Sequence, residues 1–333
     1  MELDLTTSWQ GRRVLVTGAG GFIGSHLAER MVELGAQTRA FVHYHANGSW
    51  GWIDHSPLKE HMEVIAGDIC DRESIARAMK EVDIVFHLAA LIAIPYSYHV
   101  PSSFVNTNIT GTLNILQAAR ESDVKRVVHT STSEVYGTAR YVPIDEQHPL
   151  QAQSPYAASK IGADKLAQSF VFSFGLPVVT VRPFNTFGPR QSARAVVPTI
   201  MMQCLTDTKV RLGHLTPTRD LNYVSDTVEG FVRSAVSPEA VGCTINLGSG
   251  RETSIGELAR MIVALSERPL EIEQDEERMR PEHSEVERLL ADNTVARQML
   301  GWEPSVSLEE GLRLTLEWMR EHVDGYRQGV YVV

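Results

Sequence analysis

The sequence predicts an α/β protein in which a Rossmann-type, doubly wound parallel sheet is joined to a smaller C-terminal α/β domain. Three observations lead to this fold class. A short apolar run at 13–17 ends in a glycine-rich turn and is followed by an amphipathic helix pattern at 22–34. Short apolar strands then alternate with helices as far as residue 183, which predicts right-handed crossovers. Proline and glycine interrupt this alternation from residue 183 to 189.

The same patterns predict two domains between which the chain crosses three times. We expect residues 1–183 and about 219–250 in the sheet domain, and residues 184–218 and about 251–333 in the second domain. The expected strands and helices follow in chain order. Strands are predicted at 13–17, 38–42, 64–66, 83–90, 124–130, 178–181 and 244–247. Helices are predicted at 22–34, 72–80, 102–122, 155–174, 227–235 and 308–322, and the acidic run at 271–277 is expected to be a solvated surface.

Composition restricts the classes of partner and location. The 333 residues are 43 % apolar and 22 % charged, as in soluble globular proteins. The net charge of −10 argues against nucleic acid or an anionic membrane as a partner. No apolar run reaches the roughly 18–20 residues of a membrane span. The acidic start and the three cysteines, which lack metal-ligand spacing, predict a cytoplasmic protein without a metal centre.

The first strand and helix predict a dinucleotide site. Gly18, Gly21 and Gly24 lie between them, and the helix starts at Phe22 and Ile23. Glycines let the backbone approach a phosphate, and a helix N-terminus offers unpaired N–H groups and the positive end of the helix dipole. The strand before the turn and the helix after it are the context that this motif needs.

The end of the second strand leaves the choice of dinucleotide open. An acidic residue there usually holds the adenosine ribose of NAD, but this strand ends at His43 and no acid follows. Either NAD binds without that contact or a 2′-phosphate is accommodated and the cofactor is NADP. Arg39 is a candidate for such a phosphate, although strand alternation can direct it away.

The carboxyl ends of strands three and four complete the predicted cofactor site. Asp68 and Ile69 follow strand three, where Asp68 could contact adenine; a helix cap by Asp68 or Asp71 explains the pattern equally well. Small and apolar residues end strand four and would let a cofactor lie across it: Leu88, Ala89 and Ala90.

Five polar residues are the candidates for catalysis. Thr132, Ser133 and Glu134 follow strand five, at the sheet edge where ligands bind. Turn formation would explain the hydroxyls but not the carboxylate. Tyr156 and Lys160 are four residues apart and share a helix face. We expect the ammonium to lower the pKa of the phenol, so that Tyr156 can exchange a proton with a sugar hydroxyl; an ordinary helix position is the alternative.

These motifs together resemble the nucleotide-sugar branch of the extended short-chain dehydrogenase/reductase superfamily. The resemblance covers nearly the whole chain and rests on Thr17-Gly18-x-x-Gly21-x-x-Gly24, Thr132-Ser133-Glu134, Tyr156-x-x-x-Lys160, Arg182-Pro183-Phe184-Asn185 and Arg219-Asp220-x-x-Tyr223-Val224-x-Asp226. Within that branch, residues 191–195 and 280–286 most resemble the GDP-N-acetylglucosamine 4,6-dehydratases of legionaminic acid biosynthesis. The stretch 131–137 is also similar to that of UDP-glucuronate decarboxylases.

The resemblance implies a 4,6-dehydratase in which NAD, or NADP, is recycled. Tyr156, helped by Lys160, would remove the 4-hydroxyl proton while Thr132 hydrogen-bonds that oxygen. Glu134 would remove the C5 proton, and Ser133 or a water would assist loss of the 6-hydroxyl. It also implies a nucleotide-diphosphate sugar as substrate, bound by the second domain, and a homodimer formed through the helices 102–122 and 155–174. The implied or candidate substrate ligands are Asn185, Arg190, Arg194, Arg211, Arg219 and Arg280.

Three other activities are compatible with the same residues. Glucose-type dehydratases usually carry Asp where Ser133 stands, whereas mannose-type dehydratases resemble this chain. Ser133 therefore does not exclude dehydration, but it leaves decarboxylation open. A decarboxylase or a 4-epimerase would use Tyr156 and Lys160 but would not need Glu134 as a base. A non-catalytic dinucleotide sensor is the remaining alternative, because fold alone does not set function.

Overall fold

The computed structural model describes residues 8–279 and 284–326. Its strands in chain order are β1 Arg13–Thr17, β2 Gln37–His43, β3 Met62–Gly67, β4 Ile84–His87, β5 Arg126–Thr130, β6 Val178–Pro183, β7 Asn185–Phe187, β8 Lys209–Leu212, β9 Thr218–Tyr223, β10 Thr244–Leu247, β11 Glu252–Ser254 and β12 Glu271–Gln274. Seven of them form one sheet in the order β10-β6-β5-β4-β1-β2-β3. Every pair in that sheet is parallel, which confirms the predicted doubly wound fold.

Helices cover both faces of the large sheet. In chain order they are α1 Phe22–Glu33, α2 Arg72–Ala78, α3 Ile94–His99, α4 Pro101–Phe104, α5 Gly111–Glu121, α6 Pro155–Phe174, α7 Val196–Thr206, α8 Val224–Val236, α9 Ile255–Leu265, α10 Thr294–Leu300 and α11 Leu308–His322. One apolar layer joins α1 and α8 to the sheet through Leu27 and Phe231. The other joins α2, α5 and α6 through Ile75, Ile115 and Phe170. Burial on both faces explains why the strands read as continuous apolar runs.

Two small sheets and a separate apolar core lie outside the large sheet. β7, β9 and β11 form a three-stranded sheet, and β8 pairs with β12. Side chains of α7, α9 and α11 fill the space between them, among them Ile200, Leu258 and Leu312. The first part of the acidic run forms β12 at the surface, where Lys209 of β8 pairs with Glu271 at 3.4 Å and with Glu273.

The helix predicted at 102–122 is present as a continuous helical run, but a π-helical turn, Val105–Thr110, lies inside it between α4 and α5. The buried amide of Asn108, in this turn, accepts a hydrogen bond from the Leu91 N–H at 2.8 Å and donates to the Leu91 carbonyl at 3.0 Å. It also donates to Ser159 Oγ on α6 at 2.9 Å. π-Turns of this kind are frequent near functional sites. These contacts hold the segment after β4 next to α6.

No helix in the described part of the chain is both long enough and apolar enough to cross a membrane.

The glycine turn gives a prediction for stability. A Cβ atom at Gly24 would overlap the Gly18 carbonyl. The overlap is with backbone, so no side-chain rotation can relieve it. We expect Gly24→Ala to lower the free energy of unfolding by about 3 kcal/mol. The matched control is Gly175→Ala, which has φ +66° and no atom within 4 Å of the added Cβ, so only backbone strain of about 1 kcal/mol is expected. Urea unfolding measures both; equal losses would contradict the close approach.

Candidate active site

Helix α6 carries the two central candidates, and its sequence fixes both of its ends. Ser154 caps the N-terminus by accepting a hydrogen bond from the Ala157 N–H at 3.1 Å, and Pro155 occupies the first turn. Gly175 ends the helix in the left-handed conformation. The helix bounds are those predicted. Tyr156 and Lys160 are both buried on the side of α6 that faces the end of β5.

Lys160 is a buried ammonium with a defined partner. Its Nζ donates a hydrogen bond to the carbonyl of Thr130, the last residue of β5, at 2.6 Å. Burial lowers the pKa of Lys160 from its usual value to about 8, and the charge of Asp164 opposes that shift. The side chain therefore connects α6 to the strand end and carries its charge at neutral pH.

The expected lowering of the Tyr156 pKa is wrong for the protein alone. Burial raises the pKa of Tyr156 well above its usual value. A hydrogen bond with Thr132 lowers it, whereas the negative charges of Glu134 and Asp164 raise it further. Burial dominates because the charged phenolate loses its hydration in the protein interior. Tyr156 is thus a neutral phenol in the protein alone.

The segment after β5 carries the predicted carboxylate, and its charge acts on Tyr156. Thr132 precedes a short 3₁₀ helix, Ser133–Tyr136, and accepts a hydrogen bond from the Glu134 N–H at 3.3 Å. Ser133 is buried, and Glu134 is partly exposed. Within the described residues the Glu134 carboxylate has no hydrogen bond or ion pair, yet it acts on the pKa of Tyr156. A carboxylate with this freedom can serve as a base.

The glycine turn has the shape that a dinucleotide phosphate requires. Gly18 has φ +73°, and a Cβ there would lie 2.8 Å from the Ala89 nitrogen. Gly21 precedes α1, and no described side chain caps that helix, so the N–H groups of Phe22 and Ile23 are available to a phosphate. The close approach of Gly18 to Ala89 brings the end of β4 beside the turn. These residues therefore fit the pyrophosphate of a nicotinamide dinucleotide.

A hydroxyl and a histidine hold the ends of β1 and β4 together. Thr17 Oγ1 accepts a hydrogen bond from the Ala89 N–H at 3.1 Å and lies 2.9 Å from His87 Nδ1. The other ring nitrogen of His87 lies 3.0 Å from Thr112 Oγ1. Leu88 and Ala90, on either side of Ala89, are partly exposed and border the same edge.

The end of β2 is open, and Arg39 is directed away from it. Arg39 Nε donates to Glu63 at 2.7 Å, and its Nη1 donates to the carbonyls of Ala78 and Lys80 at 2.6 and 2.9 Å. Arg39 is therefore not available to a 2′-phosphate. The exposed ring of His43 lies edge-to-face with that of His45, with ring centroids 5.4 Å apart.

The two aspartates after β3 have separate roles. Asp71 caps α2 by accepting a hydrogen bond from the Glu73 N–H at 3.0 Å. Asp68 instead accepts one from the Cys70 N–H at 2.8 Å, at the carboxyl end of β3. Ile69 is buried and would contact any side chain added at Gly111. The capping function therefore belongs to Asp71, and Asp68 stays at the sheet edge as a candidate for adenine contact.

Two of the candidate substrate ligands are held by ion pairs. Arg190 Nη1 and Nη2 each donate to the Glu29 carboxylate at 2.9 Å, which joins the loop after β7 to α1. Arg219 is buried, donates to the carbonyl of Val286 at 2.7 Å and pairs with Glu285 at 3.0 Å. A phosphate would share these guanidinium groups with partners that are already in place.

The other candidates differ in surroundings. Asn185 begins β7, and its buried Oδ1 has no hydrogen-bond partner among the described residues. Arg194 lies 3.4 Å from Ser192 Oγ through Nε, and Arg211 is exposed on β8. Arg280 lies outside the described residues. The unpaired amide oxygen of Asn185 is the feature in this group that points most directly to a ligand.

Comparison with known proteins assigns the chain to a family. Residues 15–315 match the family described as GDP-mannose 4,6 dehydratase. The chain belongs to the GDP-mannose 4,6 dehydratase family. The sequence resemblance to the nucleotide-sugar branch is thereby confirmed at the level of the family.

Relatives of this family member have different activities. The chain is 34 % identical to a UDP-glucose 4-epimerase of Mycolicibacterium smegmatis, over 92 % of this chain and 98 % of the relative. It is 33 % identical to a UDP-N-acetyl-alpha-D-glucosaminuronate decarboxylase of Bacillus cytotoxicus, over 93 % and 98 %. It is 31 % identical to the human dTDP-D-glucose 4,6-dehydratase, over 95 % and 92 %. The family is shared by epimerases, decarboxylases and dehydratases.

Solved structures agree with the fold of this family member. An epimerase from Methanothermobacter thermautotrophicus superposes with a TM-score of 0.90 at 32 % identity, covering 98 % of this chain and 97 % of that one. A dTDP-glucose 4,6-dehydratase from Streptomyces venezuelae, solved with NAD bound, gives 0.84 at 28 % identity, covering 95 % and 99 %.

The depressed pKa of Lys160 predicts a dependence of stability on pH. Between about pH 8 and the usual lysine value, unfolded chains bind a proton that folded chains have lost. Stability contributed by this group therefore rises with pH across that window. We therefore expect the unfolding free energy of wild type minus that of Lys160→Met to increase from pH 7.5 to pH 9.5. Urea unfolding at several pH values measures it, and a pH-independent difference would contradict the assignment.

Proposed function

We propose that this family member is a nucleotide-sugar 4,6-dehydratase that uses NAD and forms a 4-keto-6-deoxy sugar nucleotide. The observation that carries the proposal is the Glu134 carboxylate, which has no partner among the described residues and acts electrostatically on Tyr156. Dehydration needs two proton acceptors, one at the 4-hydroxyl and one at C5. Epimerisation and decarboxylation need only the first, so a second base beside Tyr156 favours dehydration.

Each residue has a task that follows from its surroundings. After its own proton has been lost to solvent, Tyr156 receives the proton of the 4-hydroxyl as a phenolate, and Thr132 aligns the same oxygen. Lys160 supplies the positive charge that favours this phenolate over the neutral phenol. Glu134 removes the C5 proton, which the 4-ketone acidifies, and Ser133 or a water assists departure of the 6-hydroxyl.

The dinucleotide would accept a hydride from C4 of the sugar and return it to C6. The glycine turn, the N-terminus of α1 and the sheet edge at Asp68 and His43 are the parts of this chain that we assign to holding it. NAD is proposed over NADP because the solved relatives hold NAD and because Arg39 is engaged by Glu63.

The substrate and the oligomeric state can be proposed more specifically. We propose a GDP-linked N-acetylglucosamine as the substrate, on the motifs at 191–195 and 280–286. We also propose a homodimer formed by α6 and the segment from α4 to α5. Large apolar side chains are exposed on these elements, at Val105, Phe172 and Phe174. The cytoplasmic location stays a prediction from the sequence.

Incubation with four nucleotide sugars tests the activity. GDP-N-acetylglucosamine, UDP-N-acetylglucosamine, UDP-glucuronate and GDP-mannose are each mixed with purified protein and examined by mass spectrometry. We expect loss of one water from GDP-N-acetylglucosamine. Loss of carbon dioxide from UDP-glucuronate would instead assign a decarboxylase, and a new sugar of equal mass would assign an epimerase.

The role of Glu134 is tested by proton exchange. In deuterium oxide the wild type should introduce deuterium at C5 of the product, because the base returns a solvent-derived proton. Glu134→Gln should lower turnover by about 100-fold or more through loss of general base catalysis. NMR of the recovered sugar measures the exchange.

The matched control is Tyr156→Phe, which should abolish turnover while leaving dinucleotide binding intact. Unchanged C5 exchange in Glu134→Gln would contradict the assignment of the base.

A further inference from the structure

A buried carboxylate lies one helical turn beyond Lys160 and is not part of the mechanism above. Asp164 is on the same face of α6 and is only 5 % exposed. One of its oxygens accepts a hydrogen bond from His129 Nε2 at 3.1 Å. The other accepts from Ser131 Oγ at 2.7 Å and from Arg182 Nη2 at 2.9 Å. A buried charge with this many donors is stabilised as the anion.

The donors connect Asp164 to the residues that precede and follow the catalytic segment. His129 is in β5, and Ser131 is the residue directly before Thr132. Arg182, in β6, pairs with Asp164 and also donates to the hydroxyl of Tyr136 at 2.9 Å. Its guanidinium lies over the Tyr136 ring, 4.9 Å from the centroid. Tyr136 is the last residue of the 3₁₀ helix that contains Ser133 and Glu134.

A second anchor continues the network on the far side of Tyr136. The Tyr136 hydroxyl donates to Asn246 Oδ1 in β10 at 2.7 Å, and Asn246 donates to the Ile144 carbonyl at 3.0 Å. The Tyr136 ring is fully buried. The 3₁₀ helix is therefore held at its end by two polar contacts, and one of them depends on the pairing of Arg182 with Asp164.

We propose that Asp164 is a positioning residue that fixes Glu134 and Thr132 relative to Tyr156 and places a negative charge one helical turn from Lys160. Ser131 holds the chain immediately before Thr132, and Arg182 with Tyr136 holds the chain after Glu134. Without the carboxylate, the buried Arg182 loses its counter-ion and the donor groups of His129 and Ser131 lose their acceptor. This inference rests on the proposed function for the role of Glu134 and not for the role of Lys160.

The charged and titratable groups around Asp164 come from four elements. Lys160 and Tyr156 are on α6, His129 is on β5, and Arg182 is on β6. The ring of His87, on β4, lies 5.8 Å from that of His129. Burial lowers the pKa of both histidines, so they are neutral at pH 7, and the His129 Nε2–H donates to Asp164. Asp164 is thus the negative charge that faces both Arg182 and Lys160.

Asp164→Asn tests the proposal, because it keeps the shape of the side chain and removes its charge. The first measurement is the pKa of Lys160, which is determined by NMR titration of protein that contains ¹³C-labelled lysine. We expect it to fall by about one pH unit relative to wild type. This readout does not depend on any substrate, so it stands or fails separately from the proposed function.

The second measurement uses the nucleotide sugar that the wild type converts. Asp164→Asn should lower kcat by about 100-fold with KM nearly unchanged, because misplacement of Glu134 affects the reacting geometry and not binding. Its pH–rate profile should move to lower pH. The matched control is Asp226→Asn, a buried aspartate on α8 that accepts from the Val306 N–H at 3.0 Å, away from α6; it should lose stability but keep kcat and the profile.

An unchanged Lys160 pKa with unchanged kcat in Asp164→Asn would overturn the proposal. If that variant does not fold, Tyr136→Phe decides, because it keeps the buried ring and removes the hydroxyl that Arg182 and Asn246 contact. We expect about a 10-fold lower kcat, slower C5 exchange and an unaltered Lys160 pKa. Wild-type kcat and exchange in Tyr136→Phe would overturn the positioning role.

Discussion

The hydrogen bond from the Lys160 ammonium to the Thr130 carbonyl is the contact on which the site depends. It joins α6 to the end of β5. Tyr156 lies one helical turn before Lys160, and Thr132 lies two residues after Thr130. A buried ammonium is costly unless it is hydrogen-bonded and compensated. The Thr130 carbonyl accepts the hydrogen bond, and Asp164 provides the opposite charge. The rotation of α6 about its axis is therefore fixed by the same group to which we assign assistance of proton transfer.

Much of the fold could be predicted because local patterns and tertiary packing agree. The alternation of strands and helices gave the parallel sheet, and Ser154, Pro155 and Gly175 marked both ends of α6. The π-turn inside the helix predicted at 102–122 was missed because it is stabilised by Asn108, whose partners are distant in sequence at Leu91 and Ser159. No helical periodicity contains that information.

The electrostatics of the site could be predicted only in part. The spacing of Tyr156 and Lys160 indicated a shared face, but the pKa of Tyr156 depends on burial, which spacing does not reveal. Asp164 was missed although it continues the same face at the next i+4 position. The partner that gives it meaning, Arg182, is in a different strand. Glu134 was identified because a charged residue after a buried strand is hard to explain by turn formation alone.

The fold alone does not determine the reaction, which depends on a few side chains. Relatives with one architecture are epimerases, decarboxylases and dehydratases, and all three reactions can begin with proton removal at the 4-hydroxyl. What differs is the group that acts next. In this chain the partly exposed carboxylate of Glu134, near the start of a 3₁₀ helix that is anchored at its other end, acts electrostatically on Tyr156. In the proposed reaction, Glu134 decides the product by acting after the ketone has formed.

The most direct test follows a deuterium atom placed at C4 of the sugar nucleotide. The account predicts a product that is lighter by one water and carries that deuterium at C6, as located by NMR. Such a result requires that the same bound dinucleotide serve both ends of the reaction while Glu134 acts between them. Deuterium recovered at C4, with or without loss of carbon dioxide, would contradict the account and assign the chain to the epimerases or decarboxylases.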